Sequence, residues 1–114
     1  MARVLVVDDD TAGLEIRKLI LERRGHEVTV ASNVEQARAA FQMSVPETAI
    51  LDLRLPKVED GLALIREFRQ AQPGMRIVVL CGNVADLDGR EEAAMVDQVL
   101  AKPVRSDQLL EAVA

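Results

Sequence analysis

The sequence predicts a doubly wound α/β fold, a five-stranded parallel sheet with crossover helices on both faces. Three observations carry this reading. Short runs rich in Val, Ile and Leu recur along the chain, at residues 4–7, 49–51, 77–80 and 99–101. They are continuous rather than alternating, as strands buried on both faces of a parallel sheet are. The intervals between them are long enough for the crossover helices that parallel pairing requires.

Each element then follows in order. The first strand leads into a helix over 11–24, with Leu14, Ile16, Leu19, Ile20 and Leu21 as its apolar positions. Gly25 stops it, a common residue just past a helix end. His26-Glu27-Val28-Thr29-Val30-Ala31 partly alternates and so reads as an edge strand. Ser32-Asn33-Val34-Glu35 reads as a capping box, the Ser and Glu each satisfying an orphan backbone donor. Val34, Ala37 and Phe41 follow on one helical face, and Pro46 marks the exit. After the next strand, Leu62, Ile65 and Phe68 space a third helix that ends before Pro73-Gly74. A fourth helix is expected over 84–95, although Gly89 and few large apolar residues give it little to bury. Arg105 or Ser106 opens the last helix, which carries Leu109, Leu110 and Val113. The order is β-α five times over, a single domain spanning 1–114. Met43, Met75 and Met95 are expected to fill gaps in its core.

Composition narrows the function classes. Apolar residues make up 49% of the 114, yet no apolar stretch approaches the ~20 residues of a membrane span. Met1-Ala2-Arg3 runs straight into a strand, so no signal peptide is expected. The lone cysteine, Cys81, has no partner for an internal disulfide and reads as a small buried hydrophobe, which fits a reducing cytoplasm. A net charge of −5 argues against nucleic-acid binding by this chain. Two Phe, with no Tyr or Trp, offer no stacking surface for bases. Arg23-Arg24 and the Arg66/Arg69 pair read as solvated helix surface, and His26 as an inert surface residue.

The strand ends carry the chemistry. The four apolar runs stop at Asp8-Asp9-Asp10, Asp52, Cys81-Gly82 and Lys102-Pro103. Open α/β sheets bind ligands beyond the carboxyl ends of their strands, where the strand order reverses. In the flavodoxin-like order 2-1-3-4-5, the first and third strands are neighbours at that point. Asp8, Asp9 and Asp52 then come together. Two carboxylates ~5 Å apart repel by roughly 3 kcal/mol at an effective dielectric of about 20, so the cluster needs compensation. Mg²⁺ prefers such hard oxygen donors. Lys102 adds a fixed positive charge for Asp52 or for a phosphoryl oxygen. A carboxylate can itself be the nucleophile in phosphoryl transfer, giving an aspartyl phosphate. Metal and lysine would neutralise the transferring oxygens. Asp10 is assigned to the cap of the first helix.

Val6-Val7-Asp8-Asp9-Asp10, Asp52-Leu53-Arg54-Leu55-Pro56 and Lys102-Pro103 resemble the receiver domain of bacterial two-component response regulators, the CheY-like family, over residues 4–113. The resemblance implies that Asp52 is the phosphoacceptor. It implies a Mg²⁺ (or Mn²⁺) site of Asp8, Asp9, Asp52 and the Arg54 backbone carbonyl, with Lys102 contacting the phosphoryl group. It also implies a cis peptide before Pro103. The donor would be a sensor histidine kinase, a phosphotransfer protein or a small phosphodonor, and hydrolysis would later remove the group. Phosphotransfer and autodephosphorylation are then the only activities expected, so the chain would not be an enzyme in the ordinary sense. Output would pass through the fourth helix, fifth strand and fifth helix to a partner or an output domain, with a homodimer on phosphorylation left open.

Three positions and one loop depart from the family. Cys81 stands where it has Thr or Ser, whose hydroxyl meets the phosphoryl group. A thiol is a weak donor. Val99 stands where Tyr or Phe swings inward, and Val104 replaces a common Phe. The segment Pro56-Lys57-Val58-Glu59-Asp60-Gly61 is one residue longer than Pro-x-x-Asp-Gly. The transfer chemistry reads as intact and the switch relay does not, which keeps open a pseudo-receiver that only binds partners. The opening motif also resembles haloacid-dehalogenase-like phosphatases, with Asp8 as nucleophile and Asp10 as acid/base. The acidic pair that such enzymes carry after the fourth strand is missing.

Overall fold

The computed structural model describes residues 2–114, so Met1 lies outside the described residues. Five strands form one parallel sheet: β1 (Arg3–Val7), β2 (Glu27–Ala31), β3 (Thr48–Asp52), β4 (Arg76–Cys81) and β5 (Gln98–Ala101). Their order is β2-β1-β3-β4-β5, as the sequence predicts, with β2 at an edge. Four α-helices connect or follow them: α1 (Thr11–Arg23), α2 (Val34–Met43), α3 (Val58–Ala71) and α4 (Ser106–Ala112).

Side-chain alternation along the strands divides the core into two layers. Leu5, Val7, Ala49, Leu51, Ile77 and Val79 face α2 and α3, together with Leu62, Leu64, Ile65 and Phe68. Val4, Val6, Ile50, Val78 and Leu80 face the other way, toward Leu14 and Leu21 of α1 and Leu109 and Ala112 of α4. Both faces of β3 are therefore covered, and all five of its residues are buried. This is why its run reads as continuous hydrophobicity. The stacked rings of Phe41 and Phe68, 4.5 Å between centroids, lock α2 to α3.

Several local expectations are corrected. No fourth α-helix spans 84–95. Two 3₁₀ turns, Val84–Asp86 and Glu91–Met95, stand there instead. Gly89 between them has φ of +74°, a left-handed conformation that breaks a helical path. The α2 cap is Asn33, whose side chain accepts the Gln36 N–H at 2.8 Å. Gln36, not Glu35, reaches back, but it accepts the Ser32 N–H. The cap has moved one residue and no capping box closes. In α1 only Leu14 and Leu21 are buried, while Ile16 and Leu19 are more than half exposed. Met43 is exposed as well and fills no gap, unlike the buried Met75.

Of the arginine pair of α3, Arg66 is exposed as expected and pairs with Glu92 of the second 3₁₀ turn, whereas Arg69 is not solvated surface. Arg69 donates to the carbonyls of Pro73, Met75 and Met95 and to the Asp97 carboxylate. His26 also has a structural task, since its Nδ1 accepts the Ala2 N–H at 3.1 Å.

The β3–α3 connection is held tightly. Asp60 caps α3 by accepting the Lys57 N–H at 3.1 Å. At Gly61 the helix touches the Leu53 backbone so closely that a Cβ would overlap the Leu53 carbonyl group. Gly61→Ala should therefore destabilise the fold by about 1–3 kcal/mol, the range for forced overpacking. Gly74→Ala, with open space around it, should leave stability nearly unchanged. Urea denaturation followed by circular dichroism measures both. Equal stability of the two variants would refute the close-packing account.

Candidate functional site

Strand register assembles the site. Val7 pairs with Leu51, so the next residues, Asp8 and Asp52, emerge side by side. Cys81 pairs with Ala101, so Lys102 emerges next to the end of β4. A backbone bond from the Asp8 N–H to the Ala31 carbonyl, 3.1 Å, extends the β1–β2 pairing to the site. Asp10 then starts α1, its side chain accepting the Gly13 N–H. Its expected capping role holds.

Asp8, Asp9 and Asp52 each offer a carboxylate oxygen within 4.8 Å of the others. Asp8 and Asp52 are buried and Asp9 is exposed. Lys102 Nζ lies 3.0 Å from Asp52 Oδ2 and 3.6 Å from Asp8 Oδ2. A second cation, unread in the sequence, comes from α1: Arg17 NH1 lies 2.6 Å from Asp8 Oδ2. The other Asp8 oxygen accepts the Asp10 N–H at 3.0 Å.

These partners push the two buried carboxylates in opposite directions. Burial alone would raise the pKa of Asp8. The Asp10 N–H, the Arg17 guanidinium and the Lys102 charge outweigh it and hold Asp8 below the ordinary range. Burial also raises Asp52. There the Lys102 bond does not overcome burial together with the negative charge of Asp8, so its pKa stays above the ordinary range. The donor set of three hard carboxylate oxygens suits a hard divalent cation, and the cluster is able to hold one.

An open cleft of about 530 Å³ adjoins the cluster, lined by Asp9, Asp52, Arg54, Cys81, Asp86 and Lys102 among others. Across it the Arg54 side chain pairs with Asp86 of the first 3₁₀ turn at 2.9 Å. Cys81 is buried, and its thiol donates to the Asn83 carbonyl at 2.7 Å. Burial pushes its pKa up, so it stays a thiol. The Lys102–Pro103 peptide is cis, as is Leu55–Pro56. Val99 is half-buried on β5, against the α2/α3 layer.

A parallel sheet in the order β2-β1-β3-β4-β5 with an acidic cluster at its switch point places the chain in the flavodoxin-like class of α/β folds. Residues 4–114 match the response regulator receiver domain, and the chain belongs to that family. It is 37% identical over 109 residues to the alginate biosynthesis transcriptional regulatory protein AlgB of Pseudomonas aeruginosa, covering 94% of this chain and 24% of AlgB. It is 32% identical over 111 residues to the virulence transcriptional regulatory protein PhoP of Salmonella typhimurium, covering 96% of this chain and 49% of PhoP. The chain thus spans about a quarter of AlgB and about half of PhoP. Among solved structures, a response regulator receiver domain protein from Clostridium thermocellum matches with a TM-score of 0.87 and 31% identity, covering 99% of this chain and 91% of that one. The response regulator TrrA of Thermotoga maritima, in complex with Mg²⁺–BeF, matches with a TM-score of 0.87 and 29% identity, covering 99% and 96%. The first two relatives are transcriptional regulatory proteins, and the two solved structures are of response regulators. Among the described residues, no helix is long and apolar enough to cross a membrane.

The opposite shifts of Asp8 and Asp52 predict opposite mutational effects without metal. A carboxyl whose folded pKa is raised lowers stability at neutral pH, and that loss disappears as pH falls below its unfolded value, about 3.8. Asp52→Asn should therefore be as stable as the parent or more so at pH 7, the difference vanishing toward pH 3.8. A lowered pKa works the other way, with stability lost as pH falls through it. Asp8→Asn should therefore destabilise at pH 7. Denaturant titrations at a series of pH values give both signs. A destabilised Asp52→Asn at neutral pH would contradict this electrostatic account.

Proposed function

We propose that this receiver domain accepts a phosphoryl group on Asp52 in a Mg²⁺-dependent reaction. The observation that carries this reading is the placement of Lys102 Nζ, 3.0 Å from Asp52 and 3.6 Å from Asp8 within a cluster of three carboxylates. Asp52 faces an open cleft from which a donor can approach. Its carboxylate oxygen attacks phosphorus and forms the new P–O bond. With the phosphohistidine of a sensor kinase or phosphotransfer protein as donor, the P–N bond breaks and its electron pair returns to the imidazole. Lys102 stays beside the acceptor and offsets the charge of the arriving oxygens.

Asp8, Asp9 and Asp52 would hold the divalent ion, with the Arg54 carbonyl as a further ligand. When bound, the ion supplies charge neutralisation for the phosphoryl oxygens and the acidic cluster. Mn²⁺ would fit the same oxygen donors. Hydrolysis would reset the domain, and no other enzymatic activity is assigned. Output would run through residues 84–95, β5 and α4 to a partner or an output domain, or to a second copy of the chain. The phosphatase alternative is disfavoured by Asp10. Its side chain is committed to capping α1 and does not stand free as an acid/base.

Incubation with a small acyl-phosphate donor and Mg²⁺ should add one phosphoryl group, read by intact-protein mass spectrometry. Asp52→Asn should abolish the addition and Asp10→Asn should not. Label on Asp8 would establish the phosphatase reading instead, and no label on any residue would establish the pseudo-receiver. Mg²⁺ at about ten times its dissociation constant should stabilise the parent by about 1.4 kcal/mol. A melting temperature indifferent to Mg²⁺ would remove the metal site.

A further inference from the structure

We propose that Arg17 is a built-in counter-cation of Asp8, one that must release this carboxylate when a divalent ion enters and so sets the metal affinity of the site. The inference rests on the metal site proposed above. Arg17 occupies the sheet-facing stripe of α1, between the buried Leu14 and Leu21. An arginine there is out of pattern for an amphipathic helix. Its side chain is only 16% exposed and its guanidinium lies 2.6 Å from the buried Asp8 carboxylate. Gly13, one turn earlier, keeps the lane open, since a Cβ there would lie 3.3 Å from the Arg17 guanidinium.

The competition follows from the lone pairs of Asp8. Its Oδ1 accepts the Asp10 N–H, and its Oδ2 faces Arg17 at 2.6 Å and Lys102 at 3.6 Å. A divalent ion needs the same carboxylate and is repelled by the guanidinium. Metal-bound and arginine-bound Asp8 are therefore alternatives. The displaced side chain has room, because Arg17 also lines an open groove of about 200 Å³ between α1 and α4.

The test compares the parent with Arg17→Met, which keeps the stem without charge, and with Arg17→Lys. Mn²⁺ binding is followed by its electron paramagnetic resonance signal, and melting is measured with and without Mg²⁺. Arg17→Met should bind Mn²⁺ at least about tenfold more tightly, the factor corresponding to ~1.4 kcal/mol. Its metal-free melting temperature should fall and its gain from Mg²⁺ should exceed that of the parent. Arg17→Lys should stay near the parent in both. Unchanged or weaker Mn²⁺ binding by Arg17→Met, with an equal loss of melting temperature in both conditions, would overturn the proposal and leave Arg17 a purely structural tie. If neither the parent nor Arg17→Met bound Mn²⁺, the metal reading itself would fall, a result distinct from equal binding by both.

Discussion

Two carboxylates buried side by side, Asp8 and Asp52, impose the main constraint on this molecule. A parallel sheet brings them together because β1 and β3 are adjacent and their last paired residues are Val7 and Leu51. Burial of charge is tolerable only with partners. The chain supplies them from distant places: Lys102 from the end of β5 and Arg17 from the second turn of α1. Removing Lys102 would leave Asp52 without a cation, which costs more than an exposed ion pair contributes, while Asp8 would keep Arg17 and the Asp10 N–H. Thus the acidic rim, the last strand and the first helix are tied into one electrostatic unit.

That unit also accounts for the packing around it. The β3–α3 loop must pass close to the cleft with Arg54 at its edge, and Gly61 permits the approach of α3 to Leu53. Arg54 in turn reaches Asp86, so the β3 loop touches the first 3₁₀ turn. The second 3₁₀ turn is anchored from α3 through Arg66–Glu92 and through the Arg69 bonds to Met95. Polar ties hold a segment that apolar burial alone would leave loose, with Leu87 as its one buried large apolar side chain.

Much of this was legible in the sequence for a simple reason. Strands buried on both faces need no periodicity to be recognised, and the polar residues that end them mark one rim. The order of the sheet, the grouping of Asp8, Asp9, Asp52 and Lys102, and the capping role of Asp10 all follow from that. What escaped was side-chain reach. A helical pattern assigns arginine to solvent, yet Arg17 carries its guanidinium to the buried Asp8 and Arg69 carries its own to backbone carbonyls and Asp97. The signal for Arg17 was present as a charge on the Leu14–Leu21 stripe. The segment 84–95 was misread because one residue, Gly89 at positive φ, decides between a helix and two short turns. The cap at Asn33 was misplaced by one residue because adjacent Ser and Asn are both good caps and only backbone geometry chooses between them.

The departures at Cys81 and Val99 gain meaning from the magnitudes involved. The Cys81 thiol is engaged by the Asn83 carbonyl, within its own loop, so it is not free to draw that loop toward Asp52. An exposed ion pair such as Arg54–Asp86 contributes about 0–1 kcal/mol. A hydrogen bond from a hydroxyl to a charged phosphoryl group would be worth more, ~1.5–3 kcal/mol. The Arg54–Asp86 pair is the weaker tie, but it joins the cleft to the first 3₁₀ turn whatever stands at position 81. With Val99 in place of a ring, no large side chain on β5 must move when that segment does. The contact between the cleft and the first 3₁₀ turn is therefore carried by charge, at the Arg54–Asp86 pair.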